Sequence, residues 1–194
     1  MPVILEGLLT TINADGSVNI APMGPLVDQA MQRLTLRPYH TSQSYANLKR
    51  TGQGVFHVTD DVLLLTRACI GQLEVLPAMR PAESVDGMIL ADACRWYALR
   101  VESLDDSQPR TVIEAIVVDS GQHREFFGFN RAKHAVLEGA ILASRVGILS
   151  QEDILQQFAP LAVVVEKTGG PAEHEAWQLL EHYVRTAPHV EATG

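Results

Sequence analysis

Basic residues are scarce in this chain. Lys and Arg number 15 against 23 Asp and Glu, for a net charge of -8 and a pI near 5.3. Non-specific nucleic-acid binding needs a basic face, and so does attraction to an anionic bilayer surface. Neither a nucleic acid nor a membrane is therefore expected as a partner. Cysteine is nearly absent: Cys69 and Cys94 stand alone in apolar surroundings. That excludes a disulfide framework and a paired C-x-x-C metal site, and reads as two buried, reduced thiols of a cytoplasmic protein. Long apolar runs are missing too, with none near the roughly 18 to 20 residues that span a bilayer. The opening Met1-Pro2-Val3-Ile4-Leu5-Glu6 lacks a basic region and meets a carboxylate at once, so no signal peptide is expected. Also missing are G-x-x-x-x-G-K-[ST], G-x-G-x-x-G after a strand, and G-x-S-x-G. P-loop hydrolysis, Rossmann dinucleotide binding and serine-hydrolase chemistry lose their usual support.

What is present is ample apolar material, 46% of 194 residues, enough for one large domain or a domain with an appendage. Leu5 to Asn13 and Ser17 to Pro22 read as strands joined by a turn at Asn13-Ala14-Asp15-Gly16. Met23-Gly24-Pro25 breaks the second. Met31 to Tyr39 reads as a third strand, Ser42 to Thr51 as a short helix and Gly54 to Thr59 as a fourth strand. Asp60 and Asp61 are placed to cap and charge the start of a helix over 62–71. The two prolines between Leu76 and Val85 predict a loop. Trp96 to Leu104 and Thr111 to Asp119 predict strands, and Asp119-Ser120-Gly121 a turn into a segment ending at Phe129.

The pattern changes after Asn130. Ala132 to Val146 has helical spacing, as do Ile154 to Val165, where Pro160 should kink or end the helix. Leu161 to Val165, rich in valine, reads equally as a strand. Ala172 to Arg185 reads as an amphipathic helix, and the last eight residues as a frayed tail. Strands followed by helices favour an antiparallel β-barrel with a C-terminal helical subdomain, mainly β to α+β, over a doubly wound sheet. The expected division is 1–130 for the barrel and 131–194 for the helices packed on it.

Three segments carry candidate chemistry. Tyr39, Thr41, Ser42, Ser44 and Asn47 surround a strand-to-helix junction, where unpaired N–H groups and the helix dipole favour an anion such as a phosphate. The same hydroxyls suit an ordinary N-cap. Ala21-Pro22-Met23-Gly24 should leave strand pairing and offer its backbone groups to a flat heterocycle, or form a plain turn. Asn130, Arg131, Lys133 and His134 gather positive charge at one junction, suited to a phosphate or an acidic substrate. They serve equally as a helix cap with solvated neighbours. Asp60 with Asp61, and His174, Glu175, Glu181 and His182, lack metal-ligand spacing, so no metal is expected.

Taken in order, Glu6-Gly7 to Thr11, Asn19-Ile20-Ala21-Pro22-Met23-Gly24, Tyr39 to Leu48, Thr59-Asp60-Asp61, Phe127-Gly128-Phe129-Asn130-Arg131-Ala132 and Glu166-Lys167-Thr168-Gly169-Gly170 resemble a family of flavin-reductase-like proteins. That uncharacterised family has the FMN-binding split-barrel fold. The resemblance implies a homodimer with FMN near the subunit interface and occurrence alongside tetrahydromethanopterin-linked one-carbon metabolism. It places Thr41, Ser42 and Ser44 on the FMN phosphate. Asn47 braces the loop or reaches the ribityl chain, and Ala21 to Gly24 meet the isoalloxazine edge. Arg131 and Lys133, which bring positive charge to an otherwise acidic chain, are candidates for contacts at or near the flavin, from either subunit. Two positions depart from the pattern: His57 stands where Asn is expected, and Ser44 where Thr is commoner. The implied activity is that of an FMN-dependent oxidoreductase acting on a small molecule, with NAD(P)H as candidate donor. The alternative is a non-catalytic flavin-binding or accessory protein in one-carbon metabolism. No side chain stands out as a catalytic acid or base.

Overall fold

The structure is a computed structural model that describes residues 3–187, so the expected C-terminal tail lies, Ala187 apart, outside the described residues. The chain forms two compact units, Met1–Thr59 with Leu76–Phe126, and Asp60–Val75 with Phe127–Gly194. A single break at 130 does not describe this division. The segment Asp60–Val75 leaves the strands and belongs with the C-terminal helices.

The first unit is built on one antiparallel sheet. Its strands are β1 (Val3–Ile4), β2 (Gly7–Ile12), β3 (Val18–Met23), β4 (Leu26–Val27), β5 (Arg33–Leu36), β6 (Gln53–Val58), β9 (Arg95–Asp105) and β10 (Val112–Gln122). They lie in the order β1-β4-β5-β10-β9-β6-β2-β3. The β2–β3 hairpin closes as expected: the Asn13 N–H donates to Ser17 O at 2.8 Å, and Gly16 takes the left-handed φ of 85° that the turn requires. Register shifts along β9–β10, between Glu114 and Ala115 and between Val117 and Asp119, add local twist. The sheet curls into a half-barrel with C-terminal helices following it in the chain, which is the split-barrel architecture.

Alternation then sorts the side chains onto two faces. Leu9, Leu34, Leu36, Phe56, Leu99 and Ile113 fill one, joined by Leu48 of α1 (Gln43–Thr51). Val55, Trp96 and Ala98 form the other, joined by Val85 and Ile89.

Two expectations fail in this unit. The stretch 76–85 is not wholly loop, because β7 (Met79–Pro81) pairs with β8 (Met88–Leu90). The long-range packing of Ile89 on Val55 and Trp96 is invisible in local composition. Nor do Asp119-Ser120-Gly121 form a turn; β10 runs through them to Gln122. Gly121 pairs with Trp96, and a Cβ there would lie 2.6 Å from the indole Nε1, so the glycine makes room for a ring.

The second unit holds α2 (Val62–Cys69), α3 (Arg131–Ala143), α4 (Gln151–Thr168) and α5 (Pro171–Thr186). Their apolar faces meet through Leu65, Val136, Ala140, Ile154, Phe158, Trp177, Leu180 and Val184. Phe158 and Trp177 lie 4.8 Å apart between ring centroids. Gly139 lets α3 approach α5, because a Cβ there would sit 2.7 Å from the Trp177 ring. Pro160 neither ends α4 nor leaves a strand behind it; the helix continues to Thr168. Pro160 and Gln156 are both exposed, so the carbonyl freed by the proline faces water. Among the described residues no helix is long and apolar enough to cross a membrane. Both cysteines are free thiols as expected; Cys69 donates to Ala140 O at 3.3 Å, and burial pushes its thiol up to about 11.

Candidate functional site

In the first unit the chain leaves β5 at Leu36 and enters α1 through Arg37-Pro38-Tyr39-His40-Thr41-Ser42. Pro38 is buried, and its carbonyl accepts from both the backbone N–H and the hydroxyl of Thr111, at 3.1 and 2.7 Å. Tyr39 is exposed, bridges to Arg110 in antiparallel fashion and lies under its guanidinium, 5.2 Å from ring centroid to charge. Ser42 is the N-cap, and its hydroxyl oxygen accepts from the Tyr45 N–H at 3.2 Å. The hydroxyl proton stays available, as do the N–H groups of Gln43 and Ser44, which have no intrahelical carbonyl to meet. Thr41 is exposed beside them. The Arg37 Nε, just ahead of this junction in sequence, is buried without a hydrogen-bond partner.

Ser44 and Asn47 face the other way. Both are buried, at 2% and 1% exposure, and both join a polar network beneath the helix. Asn19 donates to Thr11 Oγ1 and to Ser44 Oγ, each at 3.1 Å. Asn47 Nδ2 donates to Thr11 Oγ1 at 2.9 Å and to Asn13 Oδ1 at 2.8 Å, while its own oxygen accepts from Gln43 at 3.0 Å. The β2–β3 hairpin thus holds the start of α1 through a network of buried and half-buried amides and hydroxyls, with Thr11 Oγ1 accepting from both Asn19 and Asn47. Asn47 braces the loop. Thr11, Asn13 and Asn19 sit in segments singled out for a turn and for the resemblance, but nothing in those segments ties them to α1; only the hairpin register brings them under the helix.

Ala21 to Gly24 behave differently from the expectation that they leave the sheet. β3 keeps its pairing through Met23, with Ala21 opposite Leu9, Pro22 opposite Leu8 and Met23 opposite Gly7. β3 is an edge strand, so Pro22, which has no N–H to donate, is tolerated there. Gly24 lies against Glu6: a Cβ at 24 would come within 2.6 Å of the Glu6 carboxylate.

His57 is fully buried on β6. Its Nε2 accepts the Leu90 N–H at 3.1 Å, so Nδ1 carries the proton and donates to Leu8 O at 3.2 Å. Burial pulls the imidazole down to about 4, outweighing the Leu8 bond, with His123 adding to the fall. The ring is neutral and ties β6 to β2 and β8.

The second unit accounts for the remaining expected residues. Asn130 is the N-cap of α3; its oxygen accepts from Lys133 N at 3.0 Å and its amide donates to Thr168 O at 3.1 Å. The Lys133 ammonium donates to Asp60 O at 2.7 Å and pairs with Glu173 at 2.8 Å. Burial pushes Glu173 up, but Lys133 and the Gly170 N–H outweigh it and hold the carboxyl below its usual range. Asp60 accepts from the Phe127 N–H at 2.7 Å, and Asp61 caps α2. Arg131 is exposed. Among the described residues no cluster of three or more metal-ligating side chains occurs.

The fold has counterparts in known structures. An FMN-bound protein of Methanosarcina mazei superposes with a TM-score of 0.80 at 22% identity, covering 93% of this chain and 94% of that one. An FMN-binding protein of Thermus thermophilus with bound p-hydroxybenzaldehyde gives 0.52 at 13% identity, over 63% and 73%. The flavin reductase of the Pseudomonas putida S12 styrene monooxygenase gives 0.50 at 13% identity, over 61% and 79%. At these identities the likeness is one of fold. No curated protein matches the sequence. Two family models do: "Protein of unknown function (DUF447) N-terminal domain" over 5–124 and "Protein of unknown function (DUF447)" over 130–182. The first covers most of the strands and α1, the second most of the C-terminal helices, and with both in place the chain belongs to the DUF447 family.

Proposed function

We propose that this protein is an FMN-binding flavoprotein of flavin-reductase type. The observation that carries the reading is the start of α1. An exposed Thr41, a capping Ser42 with a proton left to donate and two open N–H groups converge there, on a fold whose solved examples include FMN-bound proteins. Such a junction fits a phosphate monoester, and the unpartnered Arg37 Nε supplies a cation nearby in sequence. Ser44 and Asn47 act from beneath, as the network that holds the junction in shape. The outer edge of β3 at Ala21 to Gly24 offers backbone groups to a ring system. Asn130, Arg131 and Lys133 rest as flavin contacts on the local positive charge of their junction alone, and the Lys133 ammonium is already engaged.

Bound FMN supplies redox chemistry, and the protein positions it. A small-molecule substrate with NAD(P)H as donor, a homodimer, a cytoplasmic location and a setting alongside tetrahydromethanopterin-linked one-carbon metabolism belong to the same reading. The test is titration of the purified apoprotein with FMN, FAD and riboflavin, followed by flavin fluorescence. FMN should bind most tightly, because only its terminal phosphate monoester is read at α1. Equal affinity for riboflavin sinks the phosphate site. Steady-state oxidation of NADH or NADPH by the FMN-loaded protein then separates an oxidoreductase from a flavin carrier.

A further inference from the structure

A cleft lies in the first unit, away in sequence from the α1 junction. It has a volume of about 410 Å³, within the range of small-molecule sites. Its floor comes from two adjacent cross-strand pairs, Ser120 opposite Tyr97 and Gln122 opposite Arg95. Directly opposed residues of an antiparallel ladder share a face, so these four side chains stand together. Tyr97 also packs on the Leu9–Phe56 core, as does Met31 from the facing wall. The cleft is therefore the wet end of that core, apolar below and polar at the rim.

The wall is rigid. Met31 adopts a left-handed φ of 52°, uncommon for a residue with a side chain. The Asp28 carboxylate holds it there by accepting the Gln32 and Arg33 N–H groups at 2.7 and 3.1 Å, while Met31 N donates to Asp28 O. That arrangement also occupies the Asp28 charge with backbone donors. Glu125 accepts from Gln122 Nε2 at 3.0 Å. Among the described residues the Arg95 guanidinium has no ionic or hydrogen-bond partner, nor has the Tyr97 hydroxyl, and no carboxylate lines the cleft.

We propose that this cleft binds a small planar carboxylate. Arg95 grips the carboxylate with its two-pronged donor face, the Tyr97 and Ser120 hydroxyls add donors, and Met31 and the Tyr97 ring cover the flat body. The proposal goes beyond the flavin reading and does not depend on it, since none of these residues belongs to the α1 junction.

Calorimetric titration of the purified protein with benzoate, and with neutral benzamide as its isostere, tests it. Benzoate should bind saturably below about 10 mM, and benzamide should not. Arg95→Gln should weaken benzoate at least tenfold, Arg95→Lys should restore part of the loss, and Tyr97→Phe should weaken it less. Ser120→Glu, at an exposed position, should abolish benzoate binding by placing a carboxylate in the cleft. Unchanged circular dichroism confirms that each variant is folded. Absence of saturable benzoate binding overturns the proposal. So does equal binding of benzamide, or unchanged affinity in both Arg95→Gln and Ser120→Glu.

Discussion

Ser42 and His57 show how differently two polar side chains of one unit are used. Ser42 serves as helix cap and, in the proposed function, as phosphate donor, and the two roles separate by magnitude. Loss of a cap costs about 1 kcal/mol of stability. Loss of a hydrogen bond to a charged group costs about 1.5 to 3 kcal/mol, roughly 10- to 150-fold in affinity. Ser42→Ala should therefore lower FMN affinity by at least tenfold while shifting the denaturation free energy by about 1 kcal/mol. Both are measurable on one sample. His57 makes a prediction about pH. Its folded-state value of about 4 lies below the ordinary 6.5, so between those values the unfolded chain binds the extra proton. The stabilising effect of the neutral ring is complete above about pH 6.5, shrinks as pH falls and is gone below about pH 4, a change of about 3 kcal/mol. Urea denaturation at pH 7 and pH 4.5 should show that loss in the wild type, and His57→Asn should flatten it. The same ring explains a departure from the family pattern: it bridges two backbone groups inside one unit, with no need of a cofactor or a partner chain to explain it.

Elements were legible in proportion to how local their causes are. The β2–β3 hairpin, α1, α2 and α5 follow from turn residues, caps and periodicity that sit within each segment. Failures came where a distant residue decides. The glycine at 121 looks like a turn, but it answers the Trp96 indole on the next strand. The prolines after Leu76 look like loop, but Ile89 draws β7 and β8 onto Trp96. Pro160 looks like a stop, but its freed carbonyl faces water while Ile154, Phe158 and Val165 bury the opposite side. Within the site, the hydroxyls at 41, 42 and 44 were readable as a group; their division into outward and buried members was not, because it depends on Asn19 and Thr11. Packing also reverses an ordinary propensity in α3. Ala is a better helix former than Gly by about 1 kcal/mol. Gly139→Ala should nevertheless destabilise the protein by roughly 1 to 3 kcal/mol, because its Cβ would meet the buried Trp177 ring. Thermal denaturation of this variant beside Glu138→Ala, an exposed neighbour, checks the sign.

At the scale of the whole molecule, the second unit is discontinuous in sequence, with α2 supplied from 60–75 and everything else from beyond Phe127. The salt bridge between Lys133 and Glu173 and the bond from Lys133 to Asp60 fasten these parts together. Lys133→Met should cost roughly 3 kcal/mol, since it leaves a mostly buried carboxylate without its cation; denaturation midpoints with unchanged slope would confirm it. A fragment ending at residue 129 should also fail to stay soluble when expressed, because Val62, Leu65 and Ile70 would lose α3 and α5. The spent partition of the pelleted and soluble fractions reads this directly.

That discontinuity also sets a clock during synthesis. The ribosome finishes α2 at Cys69 but does not begin α3 until Arg131, and α5 later still. At about 5 to 20 residues per second, the apolar side of α2 waits roughly 3 to 12 s for its first partner to be made. Throughout that interval a nascent chain with at least six finished strands carries an uncovered helix. It should therefore crosslink to a ribosome-associated chaperone when stalled near residue 110, and release it when stalled beyond the point at which α5 has left the exit tunnel.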